Sequence, residues 1–277
     1  MIWQVLKAQV LVKKYKEMNK EIKIFFTCLM FYTRIPCPSN IDHDPDYINK
    51  ATRYFPLIGW IVGALSFLVY FLSSFVLDLS IAIILSLITG ILVTGAFHED
   101  GLADVFDGFG GGWTKQKILE IMKDSQVGAF GAISLALIFL LKYTSIHANI
   151  EKFNDPLLLL LIFVSYHSLA RLTAVSIVFT SEYSREDETS KAKPIAKTHG
   201  KTEIISAFFF GLLPLLMLIW FNWKFALVLL PLYMLSFFSK RYFEKWIDGY
   251  TGDCLGAVEQ LAECVCLISY VVLWKFM

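Results

Sequence analysis

Residues 80–112 read SIAIILSLITGILVTGAFHEDGLADVFDGFGGG, and the fold turns on what this stretch does. An apolar run from Ser80 to Phe97 stops at four carboxylates, Glu99, Asp100, Asp104 and Asp107, which lead into a run of glycines. A bilayer core takes about 20 apolar residues to cross, so the run reads as a membrane span with acids gathered at its end. It shows no period-2 alternation, which argues for a helix rather than a barrel strand. Continuing that helix from His98 to Phe109, at about 100° per residue, puts Asp100, Asp104 and Asp107 within roughly 60° of one another. Like charges at that spacing repel. A hard divalent cation between them reverses the sign, and Mg2+ is usually held by one or two carboxylates together with water and substrate phosphates. The pattern points to metal and phosphate chemistry at a membrane boundary, against the plainer reading of a solvated helix end. Glu99 lies about 100° off the stripe and is the weakest of the four.

The rest of the chain extends the membrane reading. Its 277 residues are 56% hydrophobic and 16% aromatic, with a mean hydropathy of +0.59, whereas soluble domains are about 45–50% apolar. The excess falls in blocks near 56–77, 80–98, 127–144, 156–179, 203–221, 225–239 and 255–275. We therefore expect an all-α polytopic membrane helical bundle of about seven transmembrane helices, with an amphipathic interfacial helix over 1–23. Residues 24–35 are too short to span and end at Pro36 and Pro38. The chain reads as one integral-membrane domain, an interfacial segment over 1–53 and a bundle over 54–277. A net charge of +1 gives no field for nucleic acid. The five cysteines include no CxxC pair and read as reduced, packed thiols. Lys13, Lys14 and Lys16 follow a short apolar stretch instead of preceding it, unlike a signal peptide.

Basic residues set the expected orientation. Loops near 99–126, 181–202 and 240–253 carry eleven lysines and arginines, against four (Lys142, Lys152, Lys224 and Lys275) on the other side. This places the N-terminus and every charged, glycine-punctuated segment in the cytoplasm. The lipid bilayer is one partner; the oligomeric state is open, a homo-oligomer included.

Other residues join the acidic stripe as candidates. Gly108, Gly110, Gly111 and Gly112 would let backbone N–H groups approach an anion, and Lys123 and Ser125 stand in a polar knot just beyond. Gly128 and Gly131 suit close helix contact better. A second acidic segment, GYTGDCLGAVEQLAECVC (249–266), brings Asp253 to the start of the last span and Glu259 and Glu263 inside it. Acids inside a span are costly and point to function; Asp253 could also be a helix cap. His167 and Arg171 share a face of the fourth span, and Arg171 is a candidate counter-ion to these acids or a phosphate contact. Arg34 and Arg53 flank the first span, where interfacial snorkelling explains them equally well. His43, His147 and His199 lie in loops without partner spacing. The mixed-charge loop 181–201 is either a lid or a solvated connector.

Five stretches resemble one family in order along the chain: TRIP (33–36), RYFPLIGWIVG (53–63), TGAFHEDGLADVFDGFGGG (94–112), LEIMKDSQVGAFGA (119–132) and TGDCLGAVEQLAE (251–263). The third is similar to the TGxxHxDGLADxxDGxGGG signature of cobalamin synthase, the adenosylcobinamide-GDP ribazoletransferase family. The resemblance implies a membrane enzyme whose cofactor is Mg2+. In its reaction a ribose hydroxyl of α-ribazole, or of its 5′-phosphate, attacks the corrinoid-side phosphorus of adenosylcobinamide-GDP, and GMP leaves. On this reading Asp100, Asp104, Asp107 and Asp253 hold the metal. The glycines, Lys123 and Ser125 seat the guanosine-side phosphates, and His98 or, second, Glu259 acts as general base. Two rivals are weaker. A CDP-alcohol phosphotransferase motif has DG followed by AR, whereas Gly101 here precedes LADVFDG. An ion-coupled transporter would favour internal repeats, and none is visible.

Overall fold

The computed structural model describes residues 19–38, 44–184 and 200–276. Most of the expected amphipathic N-terminal helix, the tip of the 39–53 loop with His43, and most of the 181–201 loop with His199 lie outside these residues. The chain forms α1 (Lys20–Tyr32), α2 (Pro45–Ala51), α3 (Phe55–Ser73), α4 (Leu79–Thr94), α5 (Phe97–Gly111), α6 (Lys115–Ile121), α7 (Ala129–Lys152), α8 (Pro156–Val178), α9 (Lys201–Phe221), α10 (Leu229–Ile247) and α11 (Gly252–Trp274). Among the described residues there is no strand, only a bridge between Tyr183 and Tyr250. The protein is an all-α polytopic bundle. Among the described residues, six helices or continuous helical segments are long and apolar enough to cross a membrane, and α4 with α5 makes a seventh if the bent pair counts as one span.

That bent pair corrects the expected continuous helix from Ser80 to Phe109. The axis turns by 89° between α4 and α5. Gly95 (φ 68°) and Ala96 (φ 58°) are both left-handed, a conformation natural to glycine but costing an alanine about 1–2 kcal/mol. Tertiary contacts hold it. The Ala96 N–H returns to the Ile91 carbonyl at 3.0 Å, and the Arg34 N–H donates to Val93 O at 2.7 Å. The Arg34 side chain also lies across Gly95, where a Cβ would collide with it. The TRIP stretch thus braces the break.

The core helix is α8, buried over most of its length between α3, α9 and α11. Gly59 and Gly63 of α3 meet the backbone of α8 at His167 and Phe163, a small-residue contact that suits helices in lipid. In α9, Pro214 cannot donate to the Phe210 carbonyl. Ser168 Oγ (3.0 Å) and Trp60 Nε1 (2.9 Å) donate to it instead. Arg53 is buried, not snorkelling: it ion-pairs with Glu21 at 2.9 Å and with Glu203, tying α1 and α9 to the start of α3. All five cysteines are free thiols.

Candidate active site

Two helix starts from distant sequence meet at one face of the bundle. A Cβ on Gly101 of α5 would sit 2.9 Å from the Asp253 carbonyl oxygen, and one on Gly256 of α11 would sit 3.1 Å from that of His98. Without side chains there, the two backbones touch, and Asp253 lies alongside the α5 segment that carries Asp100 and Asp104. Thr251 caps α11: its Oγ1 accepts from Cys254 N–H at 3.3 Å and donates to Asp253 Oδ2 at 3.2 Å. Burial pushes the neighbouring Tyr250 hydroxyl above the usual phenol range, and the nearby Tyr183 adds to the shift. Asp100 is exposed, Asp104 and Asp253 are half-buried, and Gly252 borders open space. Asp100, Asp104 and Asp253 are hard oxygen donors of the kind Mg2+ takes.

Asp107 has a different partner set. Its Oδ2 accepts from Gly128 N–H at 2.7 Å and its Oδ1 from Gly131 N–H at 2.9 Å. The N-cap of α7 is Gly128, which has no side chain to satisfy those N–H groups, so Asp107 caps α7 from a neighbouring helix. The structure also corrects the expected glycine cradle. Gly108, Gly110 and Gly111 are helical, and Gly112 is the cap that ends α5. Gly108 packs on Met122 and Ile118, Gly110 on the ring of Phe130, and Gly112 on Ile118. Intrahelical bonding and tight packing therefore replace the open nest. Lys123 and Ser125 are exposed in the turn between α6 and α7.

His98 and Glu259 come together, but in the interior behind this face. His98 is 2% and Glu259 0% exposed, with 3.7 Å between Nδ1 and Oε2. They belong to a network crossing the bundle core. Arg171 Nη1 lies 2.7 Å from Glu259 Oε1, and Lys142 Nζ lies 2.6 Å from Glu263 Oε2. His167 Nδ1 lies 2.5 Å from Glu263 Oε1. Gln260 accepts from Lys142 at 2.5 Å and donates to Glu259 at 3.0 Å and to Glu99 at 3.2 Å. Nε2 of both histidines and Oε2 of Glu99 have no hydrogen-bond partner. A cavity of about 20 Å3 borders His98, Glu99, Lys142, His167, Arg171 and Glu263, room for one water. Among the described residues, His167, Glu259 and Glu263 form the one group whose ligand atoms all lie within 4.8 Å. Lys142 and Arg171 already neutralise its carboxylates, so the trio is an ion-pair network.

Arg171 is thus a counter-ion, and its burial keeps it from an external phosphate. Lys142 was missed: placed at the far membrane boundary by its position near the end of an apolar block, it lies buried inside α7. A lysine inside a helical run that needs a counter-charge was the signal available. Moving it out of the far-side count leaves Lys152, Lys224 and Lys275 there.

A polytopic helical membrane protein whose two acidic helix starts converge on one open face is the class these features define. The chain belongs to the cobalamin-5-phosphate synthase family, whose model matches residues 24–271. It is 43% identical over 250 residues to the adenosylcobinamide-GDP ribazoletransferase of Shewanella frigidimarina (strain NCIMB 400), covering 90% of this chain and 94% of that protein. With the protein of the same name from Shewanella oneidensis it shares 41% identity over 259 residues, 92% and 95% of the two chains. No solved structure matches.

Proposed function

We propose that this chain is a Mg2+-dependent adenosylcobinamide-GDP ribazoletransferase of the cytoplasmic membrane, with its acidic face toward the cytoplasm. It joins adenosylcobinamide-GDP to α-ribazole, or to the 5′-phosphate of α-ribazole, and releases GMP. The observation that carries this reading is the backbone contact of Gly101 with Asp253, which sets Asp253 beside Asp100 and Asp104 in a chain of this family.

Asp100, Asp104 and Asp253 would hold the ion. When bound, Mg2+ supplies positive charge against the pyrophosphate and the departing GMP. The ribose hydroxyl attacks the corrinoid-side phosphorus, a new P–O bond forms, and the bond to the GMP oxygen breaks with its electron pair leaving on GMP. Asp100 is the most exposed of the three and offers an oxygen to the hydroxyl proton. The burial of His98 and Glu259 suits holding α11 against α5 better than meeting substrate. Lys123 and Ser125, exposed in the turn after α6, would meet the guanosine-side phosphates, Lys123 as a point charge. Asp107 caps the start of α7. Glu259 and Glu263, which as acids inside a span would also suit an ion-coupled transporter, are accounted for by Arg171 and Lys142.

The test is GMP release by purified, reconstituted protein given adenosylcobinamide-GDP and α-ribazole. Release that requires both substrates, stops on chelation and returns with Mg2+ is expected. Release that persists after chelation, or none with any ribazole acceptor, contradicts the reading.

A further inference from the structure

A groove of about 730 Å3 lies on another side of α5, walled by α5, α10, the first turn of α7 at Phe130, and α11 at Ala257 and Leu261. Its walls are aromatic, Phe106 and Phe109 facing Phe130, Phe238 and Tyr242. Among the described residues that line it, the only charged groups are two cations, Arg241 and Lys245, both exposed. Each lies over a ring of its own helix, Arg241 over Phe237 at 5.3 Å and Lys245 over Trp246 at 5.6 Å. The other lysine on this turn, Lys240, is paired with Glu244 at 3.6 Å.

The position of the groove narrows its occupant. Its lining comes from the basic end of α10 and, through Phe130, the first turn of α7, the level where those spans leave the membrane, and it reaches along α11 as far as Leu261. Apolar walls with cations at a membrane boundary match an acyl chain below a negative headgroup. A corrin ring carrying cobalt(III) is itself cationic, and two cations with no acidic group among the described lining residues disfavour it. We propose that this groove binds an anionic phospholipid, with its phosphate on Arg241 and Lys245 and one chain along Phe106 and Phe238. Through Phe106 and Phe109 the lipid braces the helix that carries Asp100 and Asp104, which adds to the proposed function without resting on it.

The test compares phosphatidylglycerol with phosphatidylcholine, counting lipid retained by the full-length protein in native mass spectrometry and measuring Tm in nanodiscs of each. Two cations at a membrane surface predict retention favouring phosphatidylglycerol by about thirtyfold, with a higher Tm. Arg241→Gln/Lys245→Gln should abolish both differences. The two side chains are exposed, so the variant should fold; Lys245→Gln alone gives a second reading with a smaller loss. Equal retention of the two lipids overturns the proposal, as does a double variant that keeps the preference. Inorganic phosphate matching the Tm rise, or cobinamide displacing the lipid, would equally overturn it by assigning the groove to a free anion or to the corrinoid. Because the readout is lipid retention, the outcome is independent of whether GMP release is observed.

Discussion

Asp107 shows how one carboxylate in a motif can differ from its neighbours. It lies on the same stripe of α5 as Asp100 and Asp104, yet both its oxygens accept N–H groups from the start of α7. Asp107→Ala should therefore cost stability, about 1 kcal/mol as for other lost caps, and leave most GMP release intact, whereas Asp104→Asn should remove it. Tm and activity measured on the same preparations check the split. The cap was not legible in the sequence because its partners lie 21 and 24 residues downstream and only the tertiary fold brings them close. The helical spacing that united the three aspartates was correct, but spacing on one helix says nothing of what packs against it. Lys142 makes the complementary case. Removing it alone leaves Glu263 buried without its lysine, so Lys142→Met should destabilise by about 3–5 kcal/mol. Lys142→Met/Glu263→Met should lose less than the single change, measured by thermal unfolding in detergent.

At the scale of elements, the junction of α5 and α11 is the feature on which the site depends. Gly101 and Gly256 are where the backbones touch, and a β-branched residue at either forces them apart. Gly256→Val is expected to lower GMP release at least tenfold, since a displacement of about 1 Å at a reacting group can cost about 10²-fold. The variant should remain helical by circular dichroism; unchanged activity would mean the junction is not needed. The spans themselves were readable from hydropathy, because lipid demands a long apolar run whatever the fold. The break between α4 and α5 was not. A single glycine in an apolar helix is common, and nothing in GILVTGAF marks Ala96 as left-handed. Arg34, more than 60 residues earlier, lies across the bend.

Across the whole molecule, charge is sorted into two populations by their access to water. Glu99, Glu259, Glu263, Lys142 and Arg171 are buried and serve one another, while Asp100, Asp104 and Asp253 border the open face. The sequence displayed both acidic segments but not this sorting, since Glu259 and Asp253 stand only six residues apart. Two carboxylates so close in the chain serve different ends because α11 carries one into the core. The central claim is that Asp253 shares an ion and a pyrophosphate with Asp100 and Asp104. Its most direct test is the Mg2+ dependence of GMP release by Asp253→Asn against the unaltered protein. A fall of at least about 10²-fold at saturating Mg2+, with Tm unchanged within a few degrees, is the predicted result; near-normal release at ordinary Mg2+ would contradict it.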